Sequence, residues 1–204
     1  MHNGSSPARV ISGLFHPVLM PFFTLILMLH AHFFFSGLLP AKEILLLIGS
    51  VLLTTVICPF LMIYLLYRIR FVSSLYMEKR EERILPLLSI AVFYYLTYYL
   101  LKGMSLSLLF SYFMLNATLL IIICLFINFF FKISLHMAGI GGATGFWLGL
   151  SIRQGTPNEI LLAILFLLCG LLGFARLKDG NHSPKEVYAG LLAGSVTLFI
   201  LIML

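Results

Sequence analysis

Seven apolar runs of 17 to 27 residues leave this chain few folds to choose from. They lie at residues 10–35, 44–67, 84–101, 105–131, 134–151, 159–175 and 186–204. Each approaches or exceeds the roughly 20 residues an α-helix needs to cross about 30 Å of hydrocarbon. All are longer than the about 9–11 residues of a barrel strand, and none alternates polar with apolar. Only 10% of the residues are charged, against about 25% in an ordinary soluble domain. The expectation is an all-α integral membrane protein, a bundle of six to seven transmembrane helices forming one domain over residues 1–204. N-terminal spans occupy about 10–67 of it. The first run carries Pro17 and Pro21, so it should kink, and it lacks the small-residue pattern of a cleavable signal.

The cysteines, Cys58, Cys124 and Cys169, all sit inside apolar runs and read as small hydrophobes rather than a disulfide or metal framework. The net charge of +6 reflects where a few cations gather, so no nucleic-acid partner is expected. With seven spans, the N-terminus, the 68–83 linker, Lys132–His136 and the 176–185 loop fall on one membrane face. Ten of the 13 Lys and Arg lie there, which the positive-inside rule would assign to the cytoplasm.

Polar groups inside such a chain are expensive, roughly 3 kcal/mol for a charge at mid-bilayer, and three polar segments stand out. The first is the linker from Tyr76 and Glu78 to Pro86. If helical, Lys79 and Arg83 share a face and can clamp a phosphate; alternatively this is a solvated helix of alternating charge.

The second opens the fifth run as Lys132-Ile133-Ser134-Leu135-His136. Ser134 fits an N-cap, and a helix N-terminus offers N–H groups and a positive dipole end to an anion beside His136. The plainer reading has Lys132 anchoring at the interface and His136 satisfied in the core. Gly141, Gly145 and Gly149 follow, a smooth stripe matched by Gly190 and Gly194 of the last run. Close packing of these two helices would bring their N-terminal ends together.

The third runs from Ala175 and Arg176 through the turn Asp179-Gly180-Asn181 to His182, Ser183, Pro184 and Glu186. Ser183-Pro184-Lys185-Glu186 is a helix start, so Glu186 either completes a capping box or orients the His182 ring. Arg176 has the planar donor fork that suits a phosphate. Outside these segments, His16-Pro17 places a histidine in the first run, either functional or a kink-associated donor. His2 reads as part of a loose tail, and His30 and His32 as lying near the opposite interface.

These segments resemble the motifs of the type 2 phosphatidic acid phosphatase and vanadium haloperoxidase-like superfamily, over about residues 76–204. Arg176 and His182 match its third motif in identity and spacing, with Glu186 in place of an aspartate and Ala175 in place of a serine. Ser134 and His136 match the second, with Leu135 for a glycine. Arg83 stands for the first-motif arginine; Tyr76 occupies the lysine position, with Lys79 nearby as a substitute. The resemblance, closest to a divergent branch of small bacterial members, implies a phosphatidic acid phosphatase-like fold in a bacterial inner membrane. It implies metal-independent hydrolysis of a membrane lipid phosphate or diphosphate, without a cofactor.

Under that resemblance His182 is the nucleophile, Glu186 orients it and His136 serves as acid and base. Arg176, Arg83, Lys79, Lys132 and Ser134 hold the phosphate. Phosphatidic acid, phosphatidylglycerol phosphate, polyprenyl diphosphate and lipid A phosphates all carry the group required. Family habit places the site outward, against the charge count. Independently, the chain has one aspartate, Asp179, too few for the clustered carboxylates a magnesium site wants. Two other functions use the same residues: a lipid phosphotransferase, or a non-catalytic lipid-phosphate binder or scaffold.

Overall fold

Proline decides where the first apolar run breaks. Pro17 has no N–H, and its ring would clash with a carbonyl one turn back. Helix α1 (Pro7–Leu14) therefore stops, a 3-10 turn covers Pro17–Leu19, and α2 (Met20–His30) starts with Pro21 in its first turn, where a missing N–H is harmless. The second run holds α3 (Ala41–Val51) and α4 (Cys58–Arg68), joined by a π-helical turn over Leu52–Ile57. There the N–H of Cys58 bonds back to the Leu53 carbonyl, and Pro59 follows with no N–H to give. The remaining helices are α5 (Ile84–Leu101), α6 (Leu108–Asn128), α7 (Leu135–Gln154), α8 (Glu159–Lys178) and α9 (Pro184–Met203). This computed structural model describes residues 7–30, 40–74, 77, 79–103, 108–155, 158–180 and 182–204. His2, His32, Tyr76, Glu78 and Asn181 lie outside them. No strand occurs among the described residues.

Six helical segments are long and apolar enough to cross a membrane: Pro7–His30, Ala41–Arg68, Glu81–Leu101, Leu108–Asn128, Glu159–Lys178 and Pro184–Met203. They coincide with six of the seven apolar runs. The seventh, α7, is 20 residues long, but its glycines dilute its hydropathy and it falls outside that set. Large apolar side chains such as Ile160, Leu167 and Phe174 of α8 and Leu192 and Val196 of α9 point outward. A water-soluble domain rarely exposes so continuous an apolar face; a bilayer accommodates it.

The chain sorts into two compact units. One takes the described residues up to Pro17 together with Phe126–Leu204; the other is Val18–Leu125. The boundary does not follow the expected order of N-terminal spans and then motif region, because α1 packs with α8. In the second unit α5 meets the π turn, where Thr97 Oγ1 donates to Thr54 Oγ1 at 2.7 Å.

The first unit is organised by glycine. A Cβ on Gly141 would lie 2.6 Å from the Leu191 carbonyl oxygen; on Gly145, 2.8 Å from Ser195 Cα; on Gly149, 3.3 Å from the Phe199 carbonyl oxygen. Each pair differs by 50 in number, so α7 and α9 run parallel and in register with backbones in contact. From α9, a Cβ on Gly194 would lie 2.7 Å from Gly142 N, and one on Gly190 would lie 3.1 Å from Met137 Cβ. The stripe works as expected of small residues on a membrane helix. Helix α8 runs the other way along α7: Thr144 meets Cys169 at 3.3 Å, and Met137 lies beside Gly173, nearer the opposite end of α8. The start of α7, the end of α8 and the start of α9 therefore share one end of this unit.

Candidate active site

Three chain segments enter that end already polar. Lys178 and Asp179 close α8, and Gly180 turns the chain with φ of 69°. Ser183 then caps α9, its Oγ accepting from Glu186 N–H at 3.4 Å. The cap thus uses the backbone of Glu186 and leaves its carboxylate elsewhere: Oε2 lies 2.6 Å from Nδ1 of His182. Between the two expected uses of the carboxylate, capping and orienting, the geometry has it on His182, while only the backbone N–H of Glu186 takes part in the cap. The His182 side chain is only 2% exposed. When neutral, an imidazole with a carboxylate on Nδ1 carries its proton there and its lone pair on Nε2.

Helix α7 begins beside this pair. The N–H of Ser134 donates to the carbonyl of Glu186 at 3.2 Å, tying the two helix starts together. Ser134 is the N-cap of α7 by backbone conformation, but its hydroxyl makes no capping bond, contrary to the sequence expectation. The side chain is fully buried, and its Oγ has no partner among the described residues. A buried hydroxyl left without a partner costs about 1–3 kcal/mol, so such an atom calls for a role. His136 follows in the first turn. Lys132, half-buried, precedes Ser134 by two residues.

Arg176, near the end of α8, is buried and reaches two oxygens with one nitrogen: Nη1 lies 3.2 Å from Ser12 Oγ and 3.8 Å from Asp179 Oδ2. Its Nε is buried without a partner among the described residues. Arg176, His16 and His182 all lie near enough to His136 for their charges to act on it. The ring of His16 stands edge-on to that of His136, with centroids 5.5 Å apart. The cluster thus holds one guanidinium and three imidazoles, with Asp179 and Glu186 as its carboxylates.

Sequence reasoning passed over Ser12, whose carbonyl accepts from His136 Nε2 at 3.0 Å and whose hydroxyl lies between Arg176 and Asp179. It read Asp179 as a turn residue alone. No pattern signalled Ser12, because half its contribution is a backbone carbonyl.

No family model, curated protein or solved structure matches the chain.

Arg83 and Lys79 belong to the second unit. They do not share a helical face: Lys79 lies exposed in a bend, and Arg83 sits in a 3-10 turn over Glu81–Arg83. Arg83 is buried, and its Nε donates to the carbonyl of Met77 at 2.9 Å. Met77 adopts φ of 45°, which helix formation through the linker does not allow. Among the described residues no group of three or more His, Cys, Asp or Glu is placed to hold a metal ion.

Proposed function

We propose that this chain hydrolyses membrane lipid phosphates or diphosphates through a phosphohistidine on His182, in the manner of a type 2 phosphatidic acid phosphatase. The observation that carries the reading is the contact of buried His182 with half-buried Glu186 at 2.6 Å, with Arg176 and His136 in the same cluster. A buried imidazole whose far nitrogen is held by a carboxylate is set up as a nucleophile or base. Buried donors without a partner among the described residues, Ser134 Oγ and Arg176 Nε, supply what a tetrahedral anion needs.

In the first step the lone pair on His182 Nε2 forms a bond to phosphorus. The bond from phosphorus to the lipid oxygen breaks, its electron pair leaves with that oxygen, and His136, entering the step as the imidazolium, neutralises it with a proton. Water then attacks the phosphohistidine. The P–N bond breaks, its electrons return to Nε2, and His136 recovers a proton from the attacking water. Phosphoryl transfer depends mainly on positioning and on charge around the equatorial oxygens, the part given to Arg176, Ser134 and the first N–H groups of α7.

A lipid is the fitting carrier because the cluster lies at helix ends. Ser134 is at the start of α7, Arg176 near the end of α8 and His182 just before α9. Residues at the ends of apolar helices sit at headgroup depth, where a lipid phosphate resides. The test uses purified protein in mixed micelles with lipid monophosphates and diphosphates of differing headgroup, and free phosphate as readout. Release by the wild type and none by His182→Asn is expected. Equal release by both, or none on any such lipid, overturns the reading.

A further inference from the structure

The motif segments begin at residue 76, yet the N-terminal helix reaches the same cluster. Helix α1 buries Ala8 and Ser12, one turn apart. The Phe15 N–H still bonds to the Ile11 carbonyl at 3.0 Å, so the helical course carries on past Leu14. His16 follows just past the helix, and its ring reaches the ring of His136. Pro17 then stops the helix, and carbonyls of a last turn look beyond the helix for donors. That of Ser12 meets Nε2 of His136 at 3.0 Å.

A carbonyl oxygen only accepts, so the proton of this hydrogen bond is on Nε2 of His136. Nδ1 is the remaining ring nitrogen, and it takes no partner among the described residues. The edge-on ring of His16 fixes the plane of the His136 ring. One segment thus sets both which atom carries the proton and how the ring is turned.

We propose that Ser12 and His16 are positioning residues of the site, holding one proton of His136 on Nε2 so that its second proton is given to and taken from the reacting group at Nδ1, the neutral ring being the Nε2-protonated tautomer. The assignment rests on the phosphoryl-transfer reading for what Nδ1 faces. The two halves of Ser12 separate its roles. Its carbonyl serves His136, and its hydroxyl serves Arg176 and Asp179. Ser12→Ala keeps the first and removes the second.

The experiment has a substrate-free arm and a kinetic arm. Full-length protein with 15N-labelled imidazoles in detergent, at pH 8, reports the tautomer of His136, its signals assigned by their loss in His136→Gln. A protonated Nε2 and a bare Nδ1 are expected. In the kinetic arm, His16→Ala lowers kcat about 10-fold, the size expected of a misplaced catalytic group, with KM within about twofold. His16→Phe keeps a ring in place and recovers most of that loss. Ser12→Ala acts instead on KM, through Arg176. A proton on Nδ1 of His136, or full kcat in His16→Ala, overturns the inference. So does a His16→Phe enzyme as slow as His16→Ala, because the ring contact would then not be what matters. If the wild type releases no phosphate from any lipid phosphate, the phosphoryl-transfer reading falls as well. A proton on Nδ1 in an active enzyme sinks the positioning role alone.

Discussion

The backbone N–H of Ser134 donates to the carbonyl of Glu186 at 3.2 Å. The first turns of two helices some fifty residues apart in sequence are joined there without a side chain. The parallel glycine contact along α7 and α9 makes this possible, because it sets both helices in one register. Packing therefore fixes where the polar residues at the helix starts must lie.

Glu186→Gln retains the size of the side chain and the cap bond from its backbone, while removing the charge beside His182 Nδ1. We expect the fold to persist and kcat to fall by on the order of 10²–10⁴. Comparing phosphate release with thermal unfolding of the same preparations checks this. Wild-type kcat in the variant would leave the Glu186 carboxylate without a part in turnover.

Ser134→Ala deletes a buried hydroxyl that holds no partner among the described residues. Stability should stay level or rise by up to about 1 kcal/mol, as an unsatisfied polar atom is lost. KM for the lipid phosphate should rise several-fold. That combination, better folded and poorer at binding, separates a ligand-directed hydroxyl from a structural one.

Glycine substitutions should divide sharply by position. Gly145→Ala drives a methyl against the Ser195 backbone and should destabilise by about 1–3 kcal/mol. It should also reduce turnover by parting the helix starts. Gly170→Ala on α8 meets nothing within 4 Å, and replacing a helix-interior glycine gains about 0.5–1 kcal/mol. Thermal unfolding in one detergent checks the contrast.

Much of this was legible in sequence, for identifiable reasons. The apolar runs fix the helices because hydrocarbon leaves a backbone no alternative. The glycine stripe foretold the α7–α9 contact, and Arg176, His136 and His182 do gather in one cluster. Ser12 was illegible because carbonyls have no sequence signature. His16 stood out only as a histidine out of place. The Lys79–Arg83 face failed because Lys79 lies in a bend and Arg83 in a 3-10 turn, a break that helical periodicity does not foretell. The Ser134 hydroxyl was expected to cap, but it lies buried between two helix starts already joined through the backbone.

Chelation should leave turnover unchanged. Hard divalent cations need several oxygen ligands. The two carboxylates of the cluster are already engaged, Asp179 with Arg176 and Ser12, and Glu186 with His182. Phosphate release in excess EDTA, measured against added magnesium, is the check. A strict need for magnesium would contradict this assignment of the carboxylates.

The most direct measurement is to trap the intermediate. Purified protein is mixed with a lipid phosphate labelled at phosphorus, quenched in alkali within the first turnover, digested and mapped. The account predicts base-stable, acid-labile label on His182, absent from His182→Asn. Phosphate release by the wild type with label on another residue, or with equal label in His182→Asn, would contradict it.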